Sequence, residues 1–203
     1  MKNILFLVVG MLFLSSCKYK TAGLNLGNDS IVEISIPVIK QDPNGILRNA
    51  LAKEISFNKS LKYKTSNAKY ELKVNIEDDN DSIICYMWDR NPENNQRLNV
   101  FYNTEGKKEV IAKTELVNKK TGEVVVGPYY LNASVIYDFV NPTVEATLAF
   151  QEPTGENVSM LQYSLGQLDS EEGAQEEAYS PAYKLMAEKI ISALIKHSKK
   201  SRN

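Results

Sequence analysis

Residues 31–57 read IVEISIPVIKQDPNGILRNALAKEISF, and the fold class follows from this stretch. Residues 31–39 alternate between apolar and polar side chains, which is the period of a half-buried β-strand. The inward side chains of this predicted strand are Val32, Ile34, Ile36 and Val38. Asp42 and Pro43 then open a helix to about Phe57, because Asp caps free backbone N–H groups and Pro suits the first turn. A strand that leads into an amphipathic helix predicts a domain in which helices cover a sheet.

The strand pattern returns in the middle of the chain. Residues 69–77 alternate, which predicts a strand with Tyr70, Leu72, Val74 and Ile76 inward. The acidic residues 77–81 lack the glycine and the distal glutamate of a calcium-binding EF-hand loop, so they predict a solvated turn rather than a metal site. Residues 82–88 (SIICYMW) are apolar on both faces, which predicts a central strand, either new or continuing the previous one.

Two hairpins are predicted next. Residues 97–103 and 108–118 pair around a turn at Glu105-Gly106-Lys107, and a second turn at residues 118–122 leads into a long strand, 123–138. Short turns between successive strands favour an antiparallel meander.

Toward the C-terminus, the sequence pattern is weak up to residue 178 and clear again in the last helix. Gly127-Pro128 interrupts the long strand and indicates a bulge or bend. Residues 141–178 show no sustained period, and Ser180-Pro181 predicts the start of a closing helix that runs from residue 181 to about 198.

The fold class predicted from these elements is α+β, with two helices packed on one face of a four- or five-stranded mixed, mostly antiparallel sheet.

The first seventeen residues resemble the signal of a bacterial lipoprotein. The apolar run 4–14 is shorter than the roughly 20 residues that cross a bilayer, so it indicates a removable export signal. Leu14-Ser15-Ser16-Cys17 is similar to a lipobox, and this resemblance implies that the signal is cut before Cys17 and that its sulfur carries a diacylglyceryl group. The other interpretation is an ordinary signal peptide with a chance cysteine.

Four parts of the chain follow from these observations. They are a signal peptide (1–16), a lipidated tether (17–30), a single α+β domain (31–198) and a basic tail (199–203). The formal net charge is −1, which indicates no nucleic-acid partner. Cys85 is the only other cysteine, so lipidation of Cys17 would leave no intrachain disulfide.

The sequence contains no catalytic pattern. His197 is the single histidine, and the sequence has no phosphate-binding glycine loop, no serine-nucleophile elbow and no cysteine pair at zinc spacing. We therefore expect no enzyme activity, no metal and no cofactor other than the covalent lipid. Basic residues on loops remain as candidates for anion binding.

Five segments resemble the LPS-assembly lipoprotein family, known as LptE. They are residues 15–19 (SSCKY), the strand 31–39, the helix start 43–51 (PNGILRNAL), the step 67–72 (NAKYEL) and the closing helix 185–194 (LMAEKIISAL). The resemblance covers most of the chain from Cys17 onward, and its features are apolar alternation and a lipidated cysteine.

This resemblance implies a non-enzymatic lipoprotein of the outer membrane that faces the periplasm or a barrel lumen. Members of the family plug the β-barrel of a partner, LptD, help that barrel assemble, and bind lipopolysaccharide through basic residues. The corresponding candidates here are Arg90, Arg97, Lys119 and Lys120. The alternative interpretations are a periplasm-facing scaffold or binding module for another envelope component, such as peptidoglycan, and a lipid-anchored enzyme that uses carboxylates.

Overall fold

The computed structural model describes residues 31–91, 94, 96–140, 149–151, 153–159 and 170–200. The strands are β1 (Val32–Ser35), β2 (Leu61–Tyr63), β3 (Tyr70–Arg90), β4 (Arg97–Asn118), β5 (Val124–Asp138), β6 (Ala149–Gln151) and β7 (Asn157–Ser159). The helices are α1 (Ile46–Phe57), which follows a 3₁₀ turn at Pro43–Gly45, and α2 (Glu171–Lys200). The signal segment, Cys17 and the tether lie outside the described residues, as do residues 201–203 of the basic tail and much of the segment 141–178.

Five strands form one mixed sheet in the order β2-β1-β3-β4-β5. β1 is parallel to both of its neighbours, whereas β3, β4 and β5 are successively antiparallel. α1 and α2 pack against each other, and α2 lies over β4 and β5. The predicted α+β class is therefore confirmed, with two helices and a five-stranded, mostly antiparallel sheet.

The core lies between this sheet and the two helices. α1 contributes Leu47, Leu51 and Ile55, and α2 contributes the apolar stripe that includes Tyr183, Met186, Ile190 and Leu194. The sheet contributes Val32, Ile34, Leu72, Ala112, Leu116 and Val126, among others. Each helix buries one stripe, as expected for elements whose apolar residues recur every three to four positions.

The sequence predicts that Asp42 caps α1, and the structure confirms this cap. The helix itself begins at Ile46, about one turn later than predicted. Asp42 Oδ1 and Oδ2 accept hydrogen bonds from the backbone N–H groups of Leu47 and Arg48, both at 2.9 Å. The carboxylate thus reaches over the 3₁₀ turn, and Gly45 takes the left-handed conformation (φ 69°) that the join requires. A negative group at this end of a helix also suits the helix dipole.

Replacing Asp42 with Ala is expected to lower the free energy of unfolding by about 1 kcal/mol, because two N–H groups at the start of α1 lose their acceptor. Urea unfolding followed by circular dichroism measures this change. Asp42→Asn keeps an acceptor oxygen and is the matched control. Equal losses in both variants would contradict a role based on hydrogen bonding.

Two predicted turns are wrong, because β3 and β4 are each unbroken. The acidic residues 77–81 continue β3 rather than forming a solvated turn, and Glu105-Gly106-Lys107 lies inside β4. Two of the acidic side chains pair with Lys108 of β4, which holds this part of the sequence in the sheet. Residues 82–88 do belong to the central strand, but they extend past β1 and are mostly exposed.

Two other predicted positions are corrected. β1 ends at Ser35, and Val38 is 82% exposed rather than buried, because Pro37 lacks the N–H that would continue the ladder. α2 begins at Glu171, ten residues before the predicted start, so Pro181 lies inside the helix. Ser170 caps the N-terminus of this longer helix, since its carbonyl accepts a hydrogen bond from the Ala174 N–H and its hydroxyl accepts one from the Gly173 N–H.

Candidate functional site: an exposed aromatic ribbon

Beyond the helix-covered part of the sheet, β3 and β4 continue as a two-stranded ribbon, defined here as residues 82–90 and 97–105. β1 pairs with β3 only at Tyr70 and Glu71, and β5 pairs with β4 only from Glu105 onward. At the base of the ribbon, the backbone N–H of Phe139 still donates to the Thr104 carbonyl. From there to the tip, no other described strand pairs with either edge of the ribbon.

One face of the ribbon carries aromatic rings in edge-to-face contact. Trp88 lies directly opposite Phe101, with ring centroids 5.5 Å apart, and Tyr86 packs edge-on against the same Phe101 at 5.6 Å. Phe101 is 60% exposed and Tyr86 is 55% exposed. Asn103, opposite Tyr86, donates a hydrogen bond to Glu171 at the start of α2 (2.9 Å). The aromatic strip is thus the outward continuation of the face on which the helices lie.

The other face of the ribbon is apolar as well. Met87 and Val100 alternate with the aromatic positions, so they point to the opposite side of the two strands. They are 52% and 58% exposed. A strand pair of a soluble antiparallel sheet normally has one apolar and one polar face, so a ribbon that exposes apolar side chains on both faces indicates a surface for binding.

Two of the four basic residues predicted for anion binding meet at the tip of this ribbon. Arg90 is paired with Arg97 across the two strands, and the Arg97 guanidinium lies 3.5 Å from the centroid of the Trp88 ring. A guanidinium stacked on an indole ring keeps its N–H groups directed outward, and it can bind a phosphate or carboxylate with two parallel hydrogen bonds.

Lys119 and Lys120 lie at the opposite end of the sheet, in the turn between β4 and β5. That turn is roughly 70 Å from the ribbon tip at 3.3 Å per residue of β4, so the four predicted residues do not form one site. The Lys119 ammonium lies 3.7 Å from Glu71, and the backbone N–H of Lys120 donates to Asn118. The turn itself is confirmed as predicted.

At the base of the ribbon, a fully buried lysine holds β3 and β4 together. The Lys108 ammonium lies 2.7 Å from Asp81 and 3.0 Å from Asp79, and 3.8 Å from the centroid of the Tyr179 ring of α2. Burial alone would lower the pKa of Lys108, but the hydrogen bonds to Asp81 and Asp79 and the negative charges of the two carboxylates together outweigh burial and hold the pKa above its ordinary value of 10.5. Lys108 is therefore charged, and its charge is compensated within the sheet.

Two tyrosines complete this cluster by donating to the same carboxylates. Tyr183 donates to Asp79, and Tyr137 donates to Asp81, both at 3.2 Å. Burial raises the pKa of Tyr183, and the neighbouring Asp79 charge adds to the effect. The pKa of Tyr137 is raised by burial first and then by the Asp81 charge. The cluster joins β3, β4, β5 and α2 at one point and fixes where the ribbon leaves the domain.

Stability is expected to fall as the pH rises above about 10. A Lys108 pKa raised by folding contributes stability that is complete below 10.5 and is lost at higher pH, and a raised Tyr183 pKa acts in the same direction from 10.0 upward. Urea unfolding between about pH 9 and 11 measures the slope. Tyr183→Phe should make the fall shallower, whereas Tyr130→Phe, at a site that is 67% exposed, should leave it unchanged.

Two cavities beside this cluster are lined mainly by acidic and polar side chains. The larger, of about 630 Å³, lies between the start of α1 and Glu77, Asp78 and Asp79 of β3, and the smaller, of about 300 Å³, borders Asp81 and the first turns of α2. In the part of the chain that the structure describes, no group of three or more His, Cys, Asp or Glu residues is placed to hold a metal ion. Neither described helix is both long enough and apolar enough to cross a membrane.

The aromatic residues of the ribbon were missed as functional residues in the sequence. Trp88 belongs to the run 82–88, which suggests burial because apolar residues on both faces are typical of a central strand, and Phe101 lies in a predicted hairpin strand. The signal that indicates a ribbon is the position of Arg90 and Arg97, which bracket a polar loop between these two segments. Lys108 carries no such signal in the sequence, because its partners Asp79 and Asp81 lie in an acidic run whose pattern predicts a turn.

No protein-family model and no curated protein matches the sequence. Three solved structures with similar architecture are bacterial lipoproteins. They are a lipoprotein of Caulobacter crescentus CB15 (16% identity, 82% of this chain and 90% of that chain, TM-score 0.46), a minor lipoprotein of Acinetobacter baumannii (15%, 78% and 91%, 0.38) and lipoprotein B of Nitrosomonas europaea (12%, 86% and 96%, 0.41). At such identities and TM-scores these likenesses carry no argument about the function of this chain.

Proposed function

We propose that this chain is a lipid-anchored, non-enzymatic protein of the outer membrane, which plugs and helps assemble a large β-barrel of the LptD type and binds lipopolysaccharide. The lipobox-like motif that ends at Cys17 supports the anchor. The family that the sequence resembles folds as two helices on a four-stranded sheet, and the two-helix α+β architecture of this chain agrees with that fold. The observation that carries the proposal is the pairing of Arg90 with Arg97 at the tip of an exposed aromatic ribbon.

The ribbon offers the two chemistries that a phosphorylated glycolipid requires. Guanidinium groups bind phosphate oxygens with charge-assisted, bidentate hydrogen bonds, and Arg97 is already oriented by its contact with Trp88. Tyr86, Phe101 and Val100 expose apolar surface beside these charges, where acyl chains can pack. Polar side chains elsewhere on the domain suit the polar lumen of a barrel.

A detergent pull-down of the full chain, tagged at its C-terminus, tests the barrel partner. We expect a stoichiometric outer-membrane barrel of LptD size among the proteins identified by mass spectrometry. If the lipoprotein purifies alone from membranes that contain such a barrel, the plug role is wrong and a scaffold for another envelope component takes its place.

Lipopolysaccharide binding is expected to weaken about tenfold when Arg90 and Arg97 are both replaced by Ala, because two charge-assisted contacts to phosphate are lost. Binding is measured with purified full-length protein and labelled lipopolysaccharide in detergent. The pair Lys119→Ala and Lys120→Ala removes the same charge at the far end of the sheet and should leave the affinity unchanged. Equal losses in the two double variants would assign binding to overall charge rather than to the ribbon.

A further inference from the structure

The end of the sheet that lies farthest from the ribbon is strongly basic. We call it the tether end and define it as residues 31–34, 57–70 and 117–124. These residues form the start of β1, the join between α1 and β2, the loop that leads into β3, and the turn between β4 and β5. Their charged side chains are six lysines and two glutamates, namely Lys59, Lys62, Lys64, Lys69, Lys119, Lys120, Glu33 and Glu123. The tether end therefore has a formal charge of +4, although the whole chain has −1.

The half of the domain next to the ribbon is acidic. Its acidic side chains lie on β3 and on the first turns of α2, and they are Glu77, Asp78, Asp79, Asp81, Glu171, Glu172, Glu176 and Glu177. The buried Lys108 compensates only Asp79 and Asp81. A negatively charged surface would therefore attract the tether end and repel the acidic half. The two arginines at the ribbon tip lie beyond this acidic half.

The tether joins the sheet at the basic end. Residues 17–30 span at most about 50 Å when fully extended, and they lead into Ile31 and β1. The ribbon begins about 40 Å further along the sheet, because Ser82 lies twelve residues beyond Tyr70 in β3 at 3.3 Å per residue. A lipid on Cys17 thus keeps the lysines of the tether end, rather than the ribbon, at high effective concentration beside the bilayer.

Three apolar side chains are exposed among these lysines. Phe57 is 72% exposed, Ile31 is 50% exposed and Val124 is 42% exposed. The Lys53 ammonium lies 6.0 Å from the centroid of the Phe57 ring. At a membrane surface, lysine methylene groups and apolar side chains contact the boundary of the acyl region while ammonium groups reach the phosphates. The tether end combines both kinds of group.

We propose that the tether end docks on the anionic phospholipid headgroups of the leaflet that holds the lipid on Cys17, with the ribbon directed away from that leaflet. The inference rests on the anchor of the proposed function, and it adds the orientation of the lipoprotein when it is outside a barrel. Charge complementarity and the position of the tether carry it. A lipid surface is the partner that the tether itself brings to this end of the domain.

Two lysines of the tether end are best placed for this contact. Lys64 pairs with Glu33, and Lys119 lies 3.7 Å from Glu71. Within the described ranges, no carboxylate pairs with Lys59 or Lys120, and both are exposed. Each lysine attracts a single headgroup only weakly, so docking requires an extended anionic surface and the high effective concentration that the tether supplies.

Two optical probes in one molecule test the orientation. Thr121→Cys, in a Cys85→Ser background, carries a fluorophore on the exposed turn of the tether end, and Trp88 is the single tryptophan and lies on the ribbon. Full-length lipidated protein is reconstituted into phosphatidylcholine vesicles with and without phosphatidylglycerol, and a fraction of the headgroups carries a nitroxide quencher. We expect phosphatidylglycerol to increase quenching of the fluorophore, added salt to reverse this increase, and Trp88 to stay unquenched throughout.

Lys59→Gln combined with Lys120→Gln should lower the ratio of docked to undocked molecules about tenfold on anionic vesicles, because two ammonium groups lose their attraction to the surface. Lys40→Gln combined with Lys184→Gln is the matched control. It removes the same charge from exposed positions in the acidic half and should leave the ratio unchanged. A circular dichroism spectrum and a thermal melt of each variant verify that the domain remains folded.

The failure of docking and the failure of the anchor give different results. Vesicle-bound protein whose fluorophore is quenched equally on neutral and anionic vesicles contradicts docking and leaves the anchor intact. Protein that does not associate with vesicles contradicts both. Quenching of Trp88 together with the fluorophore contradicts the orientation, and equal losses in the two double variants contradict a role of the tether end. Quenching that requires added lipopolysaccharide would overturn phospholipid as the partner.

Discussion

Replacing Lys108 with Met is expected to lower the free energy of unfolding by about 3 kcal/mol. The substitution preserves most of the buried volume but leaves Asp79 and Asp81 close together without their shared cation. Removing one partner of a buried ion pair costs about 3–5 kcal/mol. The lower end applies here, because the two carboxylate side chains keep 21% and 28% of their surface in contact with solvent. Urea unfolding at neutral pH measures the loss.

Lys107→Met is the matched control for this substitution. Lys107 is the adjacent residue of β4, it is one-third exposed, and it pairs with Glu109 at 2.8 Å. Exposed pairs of this kind contribute about 0–1 kcal/mol, so the control should change little. Adding Asp79→Asn and Asp81→Asn to Lys108→Met removes the uncompensated charges and should restore part of the loss. A Lys108→Met cost no larger than that of Lys107→Met would contradict the assigned role of the cluster.

The fold class could be predicted because its signals are local. The alternation in residues 69–76 and the apolar stripe of α1 are set by side-chain periods within one element, and each period identifies its element without knowledge of the rest of the chain. The turn at residues 118–122 is equally local, since Gly122 supplies the left-handed conformation and its N–H donates to the Asn118 carbonyl. These predictions were confirmed.

The unbroken length of β3 could not be predicted, because it depends on a distant partner. Acidic residues have low strand propensity, and five polar residues in succession are typical of a turn. Lys108 lies 27 residues from Asp81 in the sequence and compensates the carboxylates only when the two strands are in register. Tertiary contact thus overrides local propensity at the point where the ribbon begins.

Only the part of the candidate site that depends on local sequence was predictable. Arg90 and Arg97 bracket one loop in the sequence, so their proximity follows from a hairpin, and the structure pairs them. The exposure of Trp88 and Phe101 could not be predicted from the sequence. The spacing of apolar residues indicates which side chains share a face, but it does not indicate whether a helix or another sheet covers that face. The separation of Lys119 from Arg97 follows from the uninterrupted 22-residue length of β4.

Replacing Gly106 with Val is expected to lower the free energy of unfolding by about 3 kcal/mol, from overpacking together with a lost hydrogen bond. Gly106 lies inside β4 directly opposite Tyr137 of β5, and a Cβ atom at this position would collide with the Tyr137 ring. The ring cannot turn away freely, because its hydroxyl donates to Asp81 in the Lys108 cluster. Chemical denaturation monitored by circular dichroism measures the effect.

The loss of unfolding free energy caused by Gly106→Val should depend on Tyr137. This dependence distinguishes a clash with the Tyr137 ring from a backbone that cannot accommodate any side chain at position 106. In a Tyr137→Ala background the space above Gly106 is open, and valine favours strands, so the same substitution should cost much less. The expected coupling is about 1–3 kcal/mol in a double-mutant cycle. Additive losses would show that Gly106 is required by the backbone alone. Strong coupling would show that the ring of Tyr137 lies on β4 where the ribbon departs, and that this contact helps to fix the direction of the ribbon.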